Sequence, residues 1–192
     1  MILNKHFDLE GRHAFLSASK YHWVNYDDDK FDRSYVAAQA AKRGDELHAL
    51  AADLIRLGVK LPKSSKTLNL YVNDAIGFRM TPEQPLFYSE NAFGTADAVS
   101  FKLDRRTKRG MLRIHDLKTG ITPASIKQLE IYAAFFCLEY VFKPFELDIE
   151  LRIYQNDEVQ VYEADPTVIF QIMERIVHLD KRIKAMRQEG VL

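Results

Sequence analysis

The sequence predicts an α/β (α+β) fold, a central mixed β-sheet flanked by helices. Three observations predict it. Hydrophobic residues make up 47% of 192 residues and charged residues 28%, a globular balance in a chain long enough to bury roughly two-thirds of its unfolded surface without a disulfide or structural metal. Several segments alternate apolar and polar residues as half-buried strands do, and others place apolar residues at helical spacing. These segments follow one another as helix, strands, helix, strands, helix, which is the order of a layered α/β domain. The expectation is one domain over residues 1–192, with an N-terminal arm over 1–34 and a C-terminal helix over 166–192.

Each element has a local reason. From about Tyr35 to Leu57 the chain is rich in alanine and leucine; Leu47, Leu50, Leu54 and Leu57 recur at helical spacing and Gly58 is a natural stop. Residues 82–94, PEQPLFYSENAFG, are punctuated by two prolines and then turn extended. GTADAVSFKL and GMLRIHDLKT alternate as strands on either side of the polar turn DRRTKRG, so they read as a hairpin. In TPASIKQLEIYAAFFCLEYVF, Thr122 reads as the N-cap of a helix with Pro123 in its first turn. FELDIELRIYQ and EVQVYEA read as two more strands. An Asp165–Pro166 start then opens an amphipathic helix that runs to the end of the chain.

Composition excludes some chemistries. The only cysteine is Cys137, inside an apolar run, so neither an internal disulfide nor a four-cysteine zinc or iron–sulfur site is available; a buried small hydrophobe is the simple reading of it. The N-terminal stretch lacks a signal-peptide core, and no stretch reaches the ~18 apolar residues of a membrane span, so a cytoplasmic protein is expected. Formal net charge is zero, so binding to a polyanion has to come from local patches.

The chemistry-bearing residues lie in four short stretches. Asp116 and Lys118 stand two apart at the end of a strand and so share one face; a solvated ladder has the same pattern. Asp97 lies in the preceding strand, where the hairpin brings it beside Asp116. Two carboxylates placed together raise a pKa, and a divalent cation relieves the repulsion; oxygen ligands suit Mg2+ or Mn2+. Gly94, three residues earlier, either lets the backbone approach something closely or begins a strand after a turn. His48, on the first helix, reads either as a boundary residue or as a nitrogen ligand that tilts such a site toward Mn2+. Gln128 and Tyr132 stand four apart on one helix face, as an ordinary polar stripe also would.

Taken together, GDELH, GTAD, DLK and QLEIY resemble, in that order, the motifs of the RecB-like branch of the PD-(D/E)XK nuclease superfamily. The stand-alone phage and prophage proteins of that branch are the nearest in look, with a serine-rich opening like LSASKYHW here. The resemblance covers roughly residues 14–160. It implies a restriction-endonuclease-like core and a Mg2+- or Mn2+-dependent deoxyribonuclease, an exonuclease or end-processing enzyme of phage or bacterial recombination. It makes His48, Asp97, Asp116 and the main-chain carbonyl of Leu117 metal ligands. Asp97, Asp116 and Lys118 become the catalytic set, and Gln128 and Tyr132 orient the lysine or touch the DNA backbone. The acid before the lysine is Asp116 where many relatives carry Glu, which draws the cation closer to the strand. The cysteines of the iron–sulfur branch are absent and no helicase segment is present, so the implied partners are DNA with a free end or single strand, and a separate recombination or helicase protein.

Other features are weaker. Lys102, Arg105, Arg106, Lys108, Arg109 and Arg113 crowd the hairpin and read either as a phosphate track or as a solvated turn that protects a sheet edge. The acidic run Asp27–Asp29 is assigned no site, because like charges in a row are usually solvated and repel DNA. Two other functions compete with the nuclease: a catalytically silent DNA-binding or regulatory module of the same fold, and a structural protein in which the motifs are accidental.

Overall fold

The structure is a computed structural model that describes Phe7, residues 14–107 and residues 109–189. Four α-helices lie among the described residues: α1 (Asp28–Leu57), α2 (Thr67–Gly77), α3 (Lys127–Glu139) and α4 (Pro166–Gln188). Five strands form one mixed sheet in the order β1-β2-β3-β4-β5: β1 (Thr81–Ser89), β2 (Ala92–Leu103), β3 (Gly110–Leu117), β4 (Leu147–Gln155) and β5 (Glu158–Glu163). The β3–β4 pair is parallel and bridged through α3; the other pairs are antiparallel. No helix among the described residues is long and apolar enough to cross a membrane.

The chain divides into two compact units, Met1–Arg43 and Gly44–Leu192. In the first, Phe15 meets Phe31 and Tyr35 edge-on, and Trp23 Nε1 donates to the Ser17 carbonyl at 2.9 Å. In the second, helices cover both sheet faces. Leu86, Leu112, Ile114, Leu151 and Ile153 pack with Leu129, Ala133 and Phe136 of α3 and Ile169 of α4. Ala98, Leu117 and Tyr154 pack with Ala51 and Ile55 of α1 and with Tyr71, Val72 and Ala75 of α2.

Three elements differ from the sequence expectation, each because a side chain sets a boundary. Helix α1 begins at Asp28, well before Tyr35, because Asp27 caps it: the Lys30 N–H donates to Asp27 Oδ1 at 2.7 Å. The acidic run thus places Asp28 and Asp29 in a helix's first turn, where negative charge is favourable. Helix α3 begins at Lys127, so Thr122 is not its cap and Pro123 is not in its first turn. The buried Gln155 amide holds that segment as a loop, donating to the Gly120 and Thr122 carbonyls at 2.6 and 2.7 Å and accepting from the Ala124 N–H at 3.2 Å. Helix α2 was not expected at all. Lys66, at its N-cap, makes no side-chain cap bond; the cap comes from the β4–β5 turn, where Asp157 Oδ1 accepts from the Thr67 N–H at 2.9 Å. The start of the C-terminal expectation holds at Asp165, which accepts from the Thr167 N–H at 2.8 Å and caps α4, and the helix ends at Gln188. Residues 190–192 of that expected helix lie outside the described residues.

Candidate metal centre

Strand register assembles the acids. Between the pairs Pro82↔Ala98 and Gln84↔Ala96, Glu83 of the edge strand β1 stands across from Asp97 of β2. One step beyond the pair Ala98↔His115, Asp97 stands across from Asp116 of β3. Three neighbouring strands therefore contribute one carboxylate each at the same level of the sheet. His48 of α1 completes the group, with Nδ1 3.4 Å from Asp97 Oδ2. His48, Glu83 and Asp97 each offer a ligand atom within 4.8 Å of the others.

Glu83 is the residue that sequence reasoning missed. Its backbone is left-handed (φ 50°) between Pro82 and Pro85, a conformation that costs a non-glycine residue roughly 1–3 kcal/mol and that persists where the surroundings fix it. Prolines fit here because β1 is an edge strand. Counting equally from the β1–β2 turn at Glu90 and Asn91 pairs Glu83 with Ala98; a one-residue register shift between Phe87 and Ser89 moves its partner to Asp97, so the turn alone did not reveal the pairing.

Asp97 is the centre of the group. Its Oδ2 accepts the Leu117 N–H at 2.8 Å while facing His48. Leu117 buries its side chain in the core (2% exposed) and touches the site through its main-chain N–H. Asp116 is buried, and its Oδ2 lies 3.0 Å from Lys118 Nζ, close enough for an ion pair. That contact lacks hydrogen-bond alignment, leaving the oxygen with a charge neighbour but no directed donor. Burying such an oxygen without a donor is costly, and a hard cation is one partner that satisfies it.

The charges show the strain of this arrangement. Burial, then the Asp97 charge, raises the Asp116 pKa, with Lys118 and His48 opposing. Burial and Asp97 also raise that of Glu83, against His48 and Arg56. The His48 pKa is raised as well, chiefly by its hydrogen bond to Asp97 and against the effect of burial. The raised pKa favours the protonated ring, whose positive charge falls where a divalent cation would sit. Next door, burial and the nearby Arg152 and Arg113 push the buried His115 down to about 3, so it is neutral there.

A hydrogen-bond chain holds the lysine. Lys118 Nζ donates to Gln128 Oε1 at 2.9 Å, Gln128 Nε2 donates to the Tyr132 hydroxyl at 3.3 Å, and that hydroxyl donates to the Thr95 carbonyl at 2.7 Å. Gly94 explains itself here: a Cβ at that position would meet Tyr132 Cε1 at 3.0 Å, so the glycine of GTAD makes room for the tyrosine of QLEIY. Gly44, in the GDELH stretch, is as close to the other side of the site; its Cβ would lie 2.8 Å from Thr119 Oγ1. The residues expected from the sequence, His48, Asp97, Asp116, Leu117, Lys118, Gln128 and Tyr132, are thus brought together.

The hairpin cations are not. Gly110, where β3 begins beside the turn, is six residues from Asp116, about 20 Å along a strand. Arg105 and Arg106 are exposed there, too far to touch a phosphate held at the acids. Arg109 pairs with Asp148 at 2.6 Å, and Arg113 pairs with Glu150 at 3.1 Å while stacking on Phe78; these two belong to the protein's own surface network rather than to a free track. Lys108 lies outside the described residues.

No protein-family model matches the chain, and no curated protein is significantly similar to it. The solved structure described as "Crystal structure of SSO0001" is similar at 16% identity and a TM-score of 0.36, over 76% of this chain and 63% of its own length. A likeness of that size carries no inference about function.

Proposed function

We propose that this chain is a Mg2+- or Mn2+-dependent deoxyribonuclease of the PD-(D/E)XK type, hydrolysing phosphodiester bonds at DNA ends or in single strands. The observation that carries the reading is convergence. Four stretches separated by up to about eighty residues meet as one cluster of an imidazole, carboxylates, an ammonium, an amide and a phenol, with a buried carboxylate oxygen lacking a donor. An accidental set of motifs has no reason to meet.

The donor set fits a hard divalent cation. His48, Asp97 and Glu83 stand close enough together to hold it, and Asp116 and the Leu117 carbonyl would be further ligands. When bound, such a cation supplies Lewis-acid polarisation and neutralises phosphate charge. Lys118 then places its ammonium at the phosphate, orienting the attacking water and screening the charge that develops on the phosphoryl oxygens. Gln128 and Tyr132 position the lysine: Gln128 accepts one of its N–H groups, and the tyrosine fixes Gln128 against the backbone at Thr95. To hold the cation His48 would have to be neutral, and its hydrogen bond to Asp97 favours the protonated form, so metal affinity would rise with pH.

The test is cleavage of circular, linear and end-blocked DNA in Mg2+ and in Mn2+, with Asp116→Asn as the inactive control. Degradation of linear but not end-blocked DNA supports the end-processing reading. DNA binding without cleavage by the wild type in either metal leaves the silent DNA-binding module as the function.

A further inference from the structure

A cavity of about 440 Å3 opens beside Lys118. Leu47 and Leu68 give it an apolar lining, and Leu117, Lys66 and Lys118 also border it. Leu47 is the neighbour of His48, and Leu117 links Asp116 to Lys118, so one wall separates the cavity from the carboxylates. We propose that this cavity holds one unpaired nucleoside of the substrate strand, next to the phosphate at the carboxylates. The inference rests on the nuclease reading and deepens it by naming the form of the substrate.

Three properties support it. The volume falls at the low end of the roughly 300–1,000 Å3 of small-ligand sites, room for a nucleoside and not for a base pair. Leucines contact a base by its apolar faces and read no hydrogen-bond pattern, so occupancy is tolerant of sequence. Two ammonium groups border the space: Lys118 toward the acids, and Lys66, whose ion pair with Asp157 at 2.7 Å is exposed and therefore weak enough to exchange for a phosphate. A base stacked inside a duplex has to leave its neighbours to enter, and that step is cheapest for a base already single-stranded.

The experiment uses single-stranded oligonucleotides carrying one abasic unit at successive positions, with products resolved to one nucleotide. It compares the wild type with Leu68→Trp, which fills the cavity, and with Gly120→Leu, where an added Cβ meets no atom within 4 Å and the fold is spared. Melting curves and metal titration establish that each variant is folded and binds its cation. In the wild type, cleavage should slow about tenfold or more at one register, the size of one lost base contact. It should also be slower on the matched blunt duplex. In whichever variant is folded, the intact strand should be cut about tenfold more slowly and the register dependence should vanish. An even abasic profile in the wild type overturns the proposal, and so does a register dependence that persists unchanged in a folded variant. If the wild type cuts no DNA in either metal, the nuclease reading itself fails and this inference falls with it.

Discussion

Replacing Glu83 by Gln tests whether the acids are held together for a cation. Ligand oxygens of Glu83 and Asp97 lie within 4.8 Å. Two unit charges at that distance repel by about 3 kcal/mol at an effective dielectric of about 20 and about 1 kcal/mol in water. Glu83 is half-buried and faces an open groove, so the lower figure is nearer. At a pH high enough to leave the imidazole neutral, little attraction to His48 offsets it. The metal-free variant should therefore melt about 2–4 °C higher than the wild type, the shift expected per kcal/mol in a chain of this size. Cation binding should reverse the order. At a hundredfold excess over Kd the wild type gains about 2.7 kcal/mol, whereas a variant whose Kd is tenfold weaker gains about 1.4 kcal/mol at the same concentration. Differential scanning calorimetry with and without Mn2+ measures both, with Asp53→Asn as a control at an exposed acid of the same groove. A variant that melts lower without metal and keeps the full metal gain would refute the reasoning.

Lys118→Ala should lower cleavage by about 10²–10³, the worth of one preorganised donor. Because the lysine's partner Asp116 is buried, the metal-free variant should also lose stability and recover it when Mn2+ binds, seen as an enlarged metal-dependent rise in melting temperature. Gly94→Ala should displace the Tyr132 ring and slow cleavage while leaving metal titration unchanged; Tyr132→Phe, which keeps the ring and removes only the hydroxyl bonds, separates the two contributions. Asp157→Ala removes the remote cap of α2 and should cost about 0.5–2 kcal/mol in denaturant unfolding. The buried Asp180 is held down to about 2 by Lys184, Asn91 and Ser89. Its contribution is therefore complete above the ordinary carboxylate pKa of about 4 and lost as pH falls through about 2, so the stability gap between the wild type and Asp180→Asn should close over that window.

What was legible in the sequence was what local spacing controls. The D-x-K pair is two residues apart, and a strand's period of two is enough to align them. Alternation in GTADAVSFKL and GMLRIHDLKT fixed the hairpin that puts Asp97 by Asp116. Asp165 and Pro166 carry their own helix start. The rest depended on partners far along the chain. Helix α2 has Leu68, Tyr71, Val72 and Ala75 at helical spacing, yet its cap is ninety residues away. The start of α3 is set by Gln155 rather than by Thr122. Glu83 sits between prolines that look like loop punctuation until β1 is seen to be an edge.

The same dependence on distant partners explains how the cluster stays together. Free acidic side chains relieve repulsion by rotating apart into water. Here each is restrained by something outside itself. Asp97 is tied to the Leu117 amide of the next strand, Asp116 is buried beneath its lysine, and Glu83 stands on a left-handed backbone between two prolines. The repulsion therefore remains in the metal-free protein as raised pKa values rather than as disorder. A cation entering such a site has little reorganisation to drive, and most of its interaction energy appears as binding. The restraints would then be as necessary to affinity as the ligands themselves. Loosening the strand on either side of Glu83 by Pro82→Ala with Pro85→Ala, with every ligand kept, should weaken Mn2+ binding in calorimetry. Unchanged affinity in that double variant would show that the carboxylates, and not their fixed backbone, set the strength of the site.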